Sequence, residues 1–409
     1  MREQNFRHWL ALFPCLLILS SISSVKADID WDLHGFGTLS GAYMDDDAMN
    51  QTGSTEINEF ERGVQYDVDS KLALQGSLHF NPQFSFTAQA VAPAIDDFEP
   101  EIEWGYLSWW VSDALIIRTG RLRRPNYLYS DNLRVGYTYP WVRPPSEVYS
   151  RDSQFFASVD AINALYNWTV DDWHFEFETY FGKSSRRADF IAGQSVKTST
   201  RNDFGIFLSM EYDWLNLRFG YQQLPDSTID TISSVQPLYD GLNVAGFGDI
   251  VDDLEVENKQ IEYFNFASGI DYDDWLMLFE YIYIPVENSI APDETSWYLT
   301  TGRRFGKWTL HYTYAERKRN NRTDFSAPVR EQAALIAPVN PAAAGGLNFL
   351  ADSIDTTRDL LAIDNESHYI GLRYDFDNPV AIKAELQQIN DKRNGYDSEL
   401  FSVALDFFF

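Results

Sequence analysis

Cysteine, basic charge and long apolar runs are what this chain has least of. Of 409 residues one is cysteine, Cys15, and 32 are lysine or arginine against 61 aspartate or glutamate, for a formal net charge of -29. A single cysteine leaves no disulfide framework. An acid surplus of this size argues against nucleic acid as a partner, because phosphate binding draws on cations. After the N-terminal segment no stretch approaches the ~20 consecutive apolar residues of a spanning helix. The six histidines, at 8, 34, 79, 174, 311 and 368, have no partner at i+2 or i+4, and no G-x-S-x-G occurs. No cluster of groups with fitting catalytic roles emerges, so neither an enzyme nor a bound cofactor or metal is expected.

What the N-terminus does have is the three-part pattern of a secretory signal: Arg2 and Arg7, an apolar run over 9–19, then small residues ending Val25-Lys26-Ala27. Residues 1–27 are read as a cleaved signal and 28–409 as the mature chain. A membrane anchor is the alternative, and the run is short for one. Cys15 leaves with the signal, as do three basic residues and one acid, so the mature balance falls from -29 to -31.

Aromatics are abundant, at 16% of the chain, which suits many strands. The last residues, ELFSVALDFFF, put Phe401, Val403, Leu405, Phe407 and Phe409 on one face and Ser402, Ala404, Asp406 and Phe408 on the other. In this ending the sequence resembles Gram-negative outer-membrane β-barrel proteins. The resemblance implies that the terminal strand closes the barrel and is the signal read by the barrel-assembly machinery, with outer-membrane lipid and lipopolysaccharide as surroundings.

The interior of the chain repeats one unit, in which a descending strand meets a tight turn and an ascending strand follows. Turns are expected at 81–83, 112–114, Asp171-Asp172, Asp213-Trp214, Asp273-Asp274, Phe305-Gly306 and Asp377-Asn378, most of them flanked by tryptophan or tyrosine as at a membrane interface. Seven turns make fourteen strands, and the first and last make sixteen, an even number as single-chain bacterial barrels have. Eighteen is the alternative, if 61–69 or part of 320–365 pairs as well. The fold class is therefore an all-β transmembrane antiparallel barrel with short turns at one end and long loops, at roughly 45–69, 94–102, 125–158, 185–201, 226–258, 287–295, 320–365 and 392–398, at the other.

Alternation also assigns the faces. With Phe175, Phe177 and Phe181 outward, His174, Glu176 and Glu178 face the lumen, and the same parity places Arg218, Glu280, Arg373, Lys383 and Glu385 inside. Charges of both signs in a lumen call for water, since a dry interior penalises them. A plugged barrel with salt-bridged walls is the alternative.

The third loop is the cationic exception in an acidic chain. Between 118 and 151 it holds Arg118, Arg121, Arg123, Arg124, Arg134, Arg143 and Arg151 against Asp131 and Glu147, a local balance of +5, with Asp152 just beyond. Architecture, signal and closing strand resemble the sixteen-stranded porins over the whole mature chain, and GRLRRP and YPWVRPPSEVY resemble segments of a proteobacterial porin-like group, whereas the PEFGG turn of the enterobacterial porins is missing. The resemblance implies a passive diffusion channel for small hydrophilic solutes and ions, a homotrimer, and a third loop that folds inward as a constriction. Arginine suits such a place because it stays charged and presents a planar fork of donors to anions. Arg121 and Arg123 share one strand face and Arg118 and Arg124 the other, so parity alone does not say which pair is luminal. The arginines could instead meet lipopolysaccharide phosphates at the rim, or acids such as Glu147 and Asp152. Another class of function, an outer-membrane enzyme of phospholipase or protease type or an adhesin on a closed barrel, stays open.

Overall fold

The computed structural model describes residues 30–45, 60, 62–149, 157–189, 195–320 and 322–409. Tight turns are what organise it. Asp171, Asp213, Asp273 and Asp274 and Gly306 all have positive φ, between 36° and 66°. Aspartate and glycine tolerate this left-handed conformation and so reverse the chain in two residues.

The strands are β1 (Asp30–Met44), β2 (Gly63–Gln65), β3 (Lys71–Asn81), β4 (Phe84–Pro93), β5 (Glu101–Trp110), β6 (Leu115–Arg123), β7 (Ser158–Val170), β8 (Trp173–Asp189) and β9 (Ser195–Tyr212). They continue as β10 (Leu215–Ile229), β11 (Lys259–Tyr272), β12 (Trp275–Ile284), β13 (Asp293–Phe305), β14 (Trp308–Asn320), β15 (Ile363–Asp375), β16 (Val380–Asp391) and β17 (Tyr396–Phe408). From β3 onward each pairs antiparallel with the next, and β1 pairs with both β3 and β17, so the sheet closes. The segment β2 extends the β3 edge along β1 without adding a wall position. The wall therefore has sixteen strands, and 61–69 contributes only that extension. All seven expected turns lie where the sequence puts them.

Closure rests on the C-terminus. Phe36 pairs with Phe408 and Met44 with Leu400, and Gly35 and Phe409 exchange two backbone hydrogen bonds of 2.8 Å. A Cβ at Gly35 would sit 2.3 Å from the Phe409 ring, and one at Gly37 would sit 2.7 Å from the Phe407 ring. The two glycines leave the room that the terminal rings fill, so closing strand and first strand are matched by shape as well as by backbone pairing.

Alternation sorts the faces as expected. Leu33, Leu39, Leu72, Leu74, Ile162, Phe181, Ile370, Phe401 and Val403 stand exposed on the outside, while Thr38, Ser402, Ala404 and Asp406 are buried within. An exposed apolar belt of this kind is stable against hydrocarbon and costly in water. At the turn end a chain of aromatic contacts runs from Trp173 to Tyr212 (5.1 Å between centroids), to Trp214 (6.3 Å) and to Tyr272 (6.0 Å). Trp308, Tyr374 and Phe376 continue it farther round.

At the loop end the structure departs from expectation in two places. Strands β8 and β9 run on to Asp189 and from Ser195, so most of 185–201 is a protruding hairpin. The regions 226–258 and 320–365 carry helices: α1 (Ser146–Tyr149) belongs to the third loop, and α2 (Gln236–Val244), α3 (Gly248–Leu254), α4 (Ala327–Ile336) and α5 (Pro341–Leu361) to the fifth and seventh. The last four share a core of Leu238, Leu242, Leu254, Phe325, Val329, Ala351 and Ile354. The small-residue stretch 337–346 links α4 to α5 and supplies the first residues of α5. Asn340 accepts the Ala343 amide at 3.1 Å and Pro341 takes the first helical position, which starts α5.

Candidate functional site

The third loop, L3, described over 124–149 and at 157, is not at the rim. It folds into the barrel, and the inward charges of the wall hold it there. Lys383 donates to the Gly136 carbonyl at 2.6 Å and the Trp141 carbonyl at 2.8 Å and also pairs with Asp406 at 2.8 Å. Arg373 donates to the carbonyls of Tyr137 and Tyr139, both at 2.8 Å, while pairing with Asp375. Three strands back along the same wall, on β12, Glu280 accepts the Leu128 amide at 2.8 Å, the Tyr149 hydroxyl, and Asn265 at 2.9 Å. Backbone groups in a loop need partners once buried, and here charged side chains supply them.

Two close approaches fix the path. Gly136 lies where a Cβ would meet Asp406 Oδ1 at 2.1 Å and Thr38 Oγ1 at 2.9 Å, so the loop can touch this wall only with glycine. Trp141 is 0% exposed, its indole N–H donating to Thr313 at 2.9 Å and Thr300 at 3.2 Å and its ring edge-on to Tyr298 at 5.4 Å. Around it Tyr127, Tyr139, Val148 and Tyr149 of L3 pack with Leu278, Ile282, Tyr298 and Tyr369 of the wall. This half of the lumen, against β10 to β15, is dry and aromatic. The prolines at 125, 140, 144 and 145 suit a loop held in one shape.

The expected constriction residues divide between roles. Arg124 is fully buried on Asp203 at 2.5 Å, and Arg143 binds Asp69 at 2.5 Å and Ser402 at 2.9 Å. These two pin the ends of the inward run. Arg123 and Arg134 share one carboxylate, Glu103, at 2.5 Å and 3.2 Å. Arg186, on the inner face of β8, adds to the field at Glu103. Arg118 faces inward beside Ser108, its guanidinium 5.5 Å from the Tyr106 ring centre. Arg121 is a correction: it lies on the outer face in line with Ile117 and Thr119, 49% exposed and paired with Asp160 at 3.0 Å. Among the described residues Glu147 faces none of the loop's arginines, being fully buried and accepting the Tyr369 hydroxyl at 2.7 Å. Asp131 is exposed within the barrel near Arg123 and Glu178. Arg151 and Asp152 lie outside the described residues.

The wall residues likewise divide. Glu280, Arg373, Lys383 and Glu385 face inward as alternation assigned, yet they serve L3 and line no water path. Glu385 is buried beneath Val142, with His311 3.8 Å away. Glu176 and Glu178, on β8, and Arg218, on β10, sit at the turn end. There a cavity of about 430 Å³ lies under Leu128, Tyr129 and Asn132 and is bounded by Glu176, Glu211, Asn216 and Arg218. Arg218 holds the Pro125 carbonyl at 3.1 Å and lies 3.7 Å from Glu178, which itself accepts Asn163 at 2.8 Å. Sequence reasoning missed Asp69, Glu103 and Asp203, the acids that receive the arginines at 123, 124, 134 and 143. Asp69 and Glu103 lie in or beside a loop, where alternation gives no signal.

The closed sixteen-stranded wall has many counterparts among solved structures. An anion-selective porin from Comamonas acidovorans matches with a TM-score of 0.56 over 93% of this chain and 100% of its own, at 11% identity. The fold is that of bacterial porins. The outer membrane channel DcaP of Acinetobacter baumannii matches at 0.53 (11% identity, 94% of this chain, 98% of its own). In vitro folded OmpT, an outer membrane protein of Vibrio cholerae in a trimer form, matches at 0.52 (10% identity, 93% and 99%). No protein-family model and no curated sequence matches. At such identities the porin likeness speaks for architecture, and the site has to be argued from its own residues.

Proposed function

We propose that this chain is an outer-membrane diffusion channel for small polar or charged solutes, working without a catalytic step or cofactor, in which L3 narrows the lumen. The observation that carries the reading is the docking of L3 by Lys383, Arg373 and Glu280, which sets a permanent constriction instead of a mobile flap. Because the β10 to β15 side is packed, the solute path runs along β5 to β9, past Arg118, Arg123, Arg134 and Asp131 and into the cavity bordered by Glu176 and Glu211. The outward apolar belt and the turn-end aromatic chain support membrane residence, and the porin likeness supports a homotrimer and a Gram-negative outer membrane.

Selectivity follows from range. Screening length at physiological salt is about 8 Å, so the acidic outer loops act weakly on an ion at the constriction and the two arginines on one glutamate act strongly. A weak anion preference results, in spite of the chain's acidity. Planar-bilayer recording tests both levels. Discrete conductance steps are expected, with a reversal potential in asymmetric KCl that moves toward cations on Arg134→Ala. A strongly cation-selective potential that Arg123→Ala and Arg134→Ala leave unchanged contradicts the constriction, and a barrel with no steps contradicts the channel.

A further inference from the structure

A second cationic island lies on the outside of the wall, and nothing in the channel uses it. From 183 to 201 the chain carries Lys183, Arg186, Arg187, Lys197 and Arg201 against one acid, Asp189, in a protein at -29. Arg186 faces in. Lys183, Arg187, Lys197 and Arg201 are exposed on the outer face of the β8–β9 hairpin. Arg121 joins them from β6, since Asp160 pairs with Arg121 on one side and stands opposite Lys183 on the other. Arg121, Asp160, Lys183 and Arg201 border one outer groove of about 580 Å³, whose floor includes Ile162 and Phe181.

Three features make this more than a solvated face. First, Arg187 and Lys197 are direct cross-strand partners. Like charges so placed are destabilising unless an anion lies between them. Among the described residues no ion pair engages Lys183, Arg187, Lys197 or Arg201. Second, the acids beside these cations are few: Asp160 is bonded to Arg121, Asp226 accepts Asn202 at 2.7 Å, and Asp230 stands opposite Lys197, its amide donating to the Lys197 carbonyl at 2.9 Å. Third, the height is right. Ten residues separate Trp173, in the turn-end aromatic chain, from Lys183, which at ~3.3 Å per residue and a tilt of ~40° is about 25 Å of vertical rise, the height of a barrel's apolar band. Lys183, Arg121 and Arg201 therefore stand at the far edge of the hydrocarbon, directly above exposed Ile162, Phe181 and Ile206. A register shift near Gly182 and the positive φ of Asn202, 58°, push Arg201 out from the strand at this level.

We infer that this face seats a phosphorylated glycolipid of the surrounding leaflet, its phosphates on Lys183, Arg201 and Arg121, a further phosphate between Arg187 and Lys197, and its acyl chains along Ile162, Phe181 and Ile206. Clustered cations at a membrane surface with apolar side chains beneath them are the arrangement that anionic lipids recognise. Asp160 orients Arg121 and keeps that site from being purely cationic. The inference rests on the membrane placement proposed above and is independent of conduction, so a protein that retains the lipid without conducting separates the two.

The test uses the full chain in detergent, read by native mass spectrometry, with diphosphoryl lipid A, its dephosphorylated counterpart and inorganic phosphate as probes. The unmodified protein is expected to retain the diphosphoryl lipid and the dephosphorylated lipid roughly tenfold less or weaker. Replacing Lys183, Arg187, Lys197 and Arg201 by alanine is expected to abolish that preference while the heat-dependent gel shift of a folded barrel persists. Equal retention of the two lipids, an unchanged preference in the variant, or displacement of the lipid by inorganic phosphate overturns the inference. Should the fourfold variant fail to fold, the two-lipid comparison on the unmodified protein decides alone.

Discussion

Lys383 is the residue on which the inward path of L3 most depends. It closes contacts with two loop carbonyls and with Asp406 while almost wholly buried. Lys383→Met keeps the stem and deletes the charge, leaving the buried Asp406 carboxylate on Thr38 alone. Breaking one side of a buried pair costs about 3–5 kcal/mol, so thermal unfolding should shift clearly downward, and single-channel current should become noisier as the loop loosens. Gly136→Val is expected to act more sharply, because its side chain would occupy the space of Asp406 and Thr38. Residue-scale contacts of this kind were the least legible in the sequence. Lys383 was assigned to the lumen by alternation, but its partners lie far away in the chain, and no periodicity links 383 to 136. Arg123 shows the other failure: an extra residue in β5, Glu103, breaks the register opposite β4 and offers a carboxylate to an arginine that simple parity groups with the outward Arg121.

Elements divide into the legible and the missed along one line. Strands and turns announce themselves through a period of two punctuated by aspartate, glycine and aromatic rings, so all seven turns and sixteen wall strands could be read. The helices of the fifth and seventh loops have a period of 3.6 and lie within 226–258 and 320–365, which the sequence reading assigned to loops. Their capping residues were visible all the same. Asn340→Ala removes the side chain that holds the first turn of α5 and should cost about 1 kcal/mol, seen as faster amide exchange over 341–346 with the barrel unaffected. Asp324 does similar work before α4, accepting the amides of Ser326 and Ala327, both at 3.1 Å, and the Ser326 hydroxyl. Those hydrogen bonds hold its carboxyl below the ordinary value of about 3.9. A depressed folded pKa means that its contribution is present above the unfolded value and lost as pH falls through the folded one. Exchange at the start of α4 should therefore quicken only in acid below about pH 4, and Asp324→Asn should blunt that dependence.

At the scale of the whole molecule, the barrel is a wall whose inner charges mostly serve a loop. The dry half of the lumen, centred on Trp141, and the polar half, bordered by Asp131, Asn132 and Glu176, assign the solute path to one side. The sequence's single cysteine makes this directly testable. With Cys15 replaced, a lone cysteine can be set at Asn132, exposed on L3 beside the cavity, or at Ile162 on the outer face. Single-channel current is then recorded before and after a charged methanethiosulfonate reagent. The account predicts a stepwise fall in conductance for Asn132→Cys and none for Ile162→Cys, whereas a conductance that ignores modification at 132, or a barrel that never conducts, contradicts a path that runs past L3.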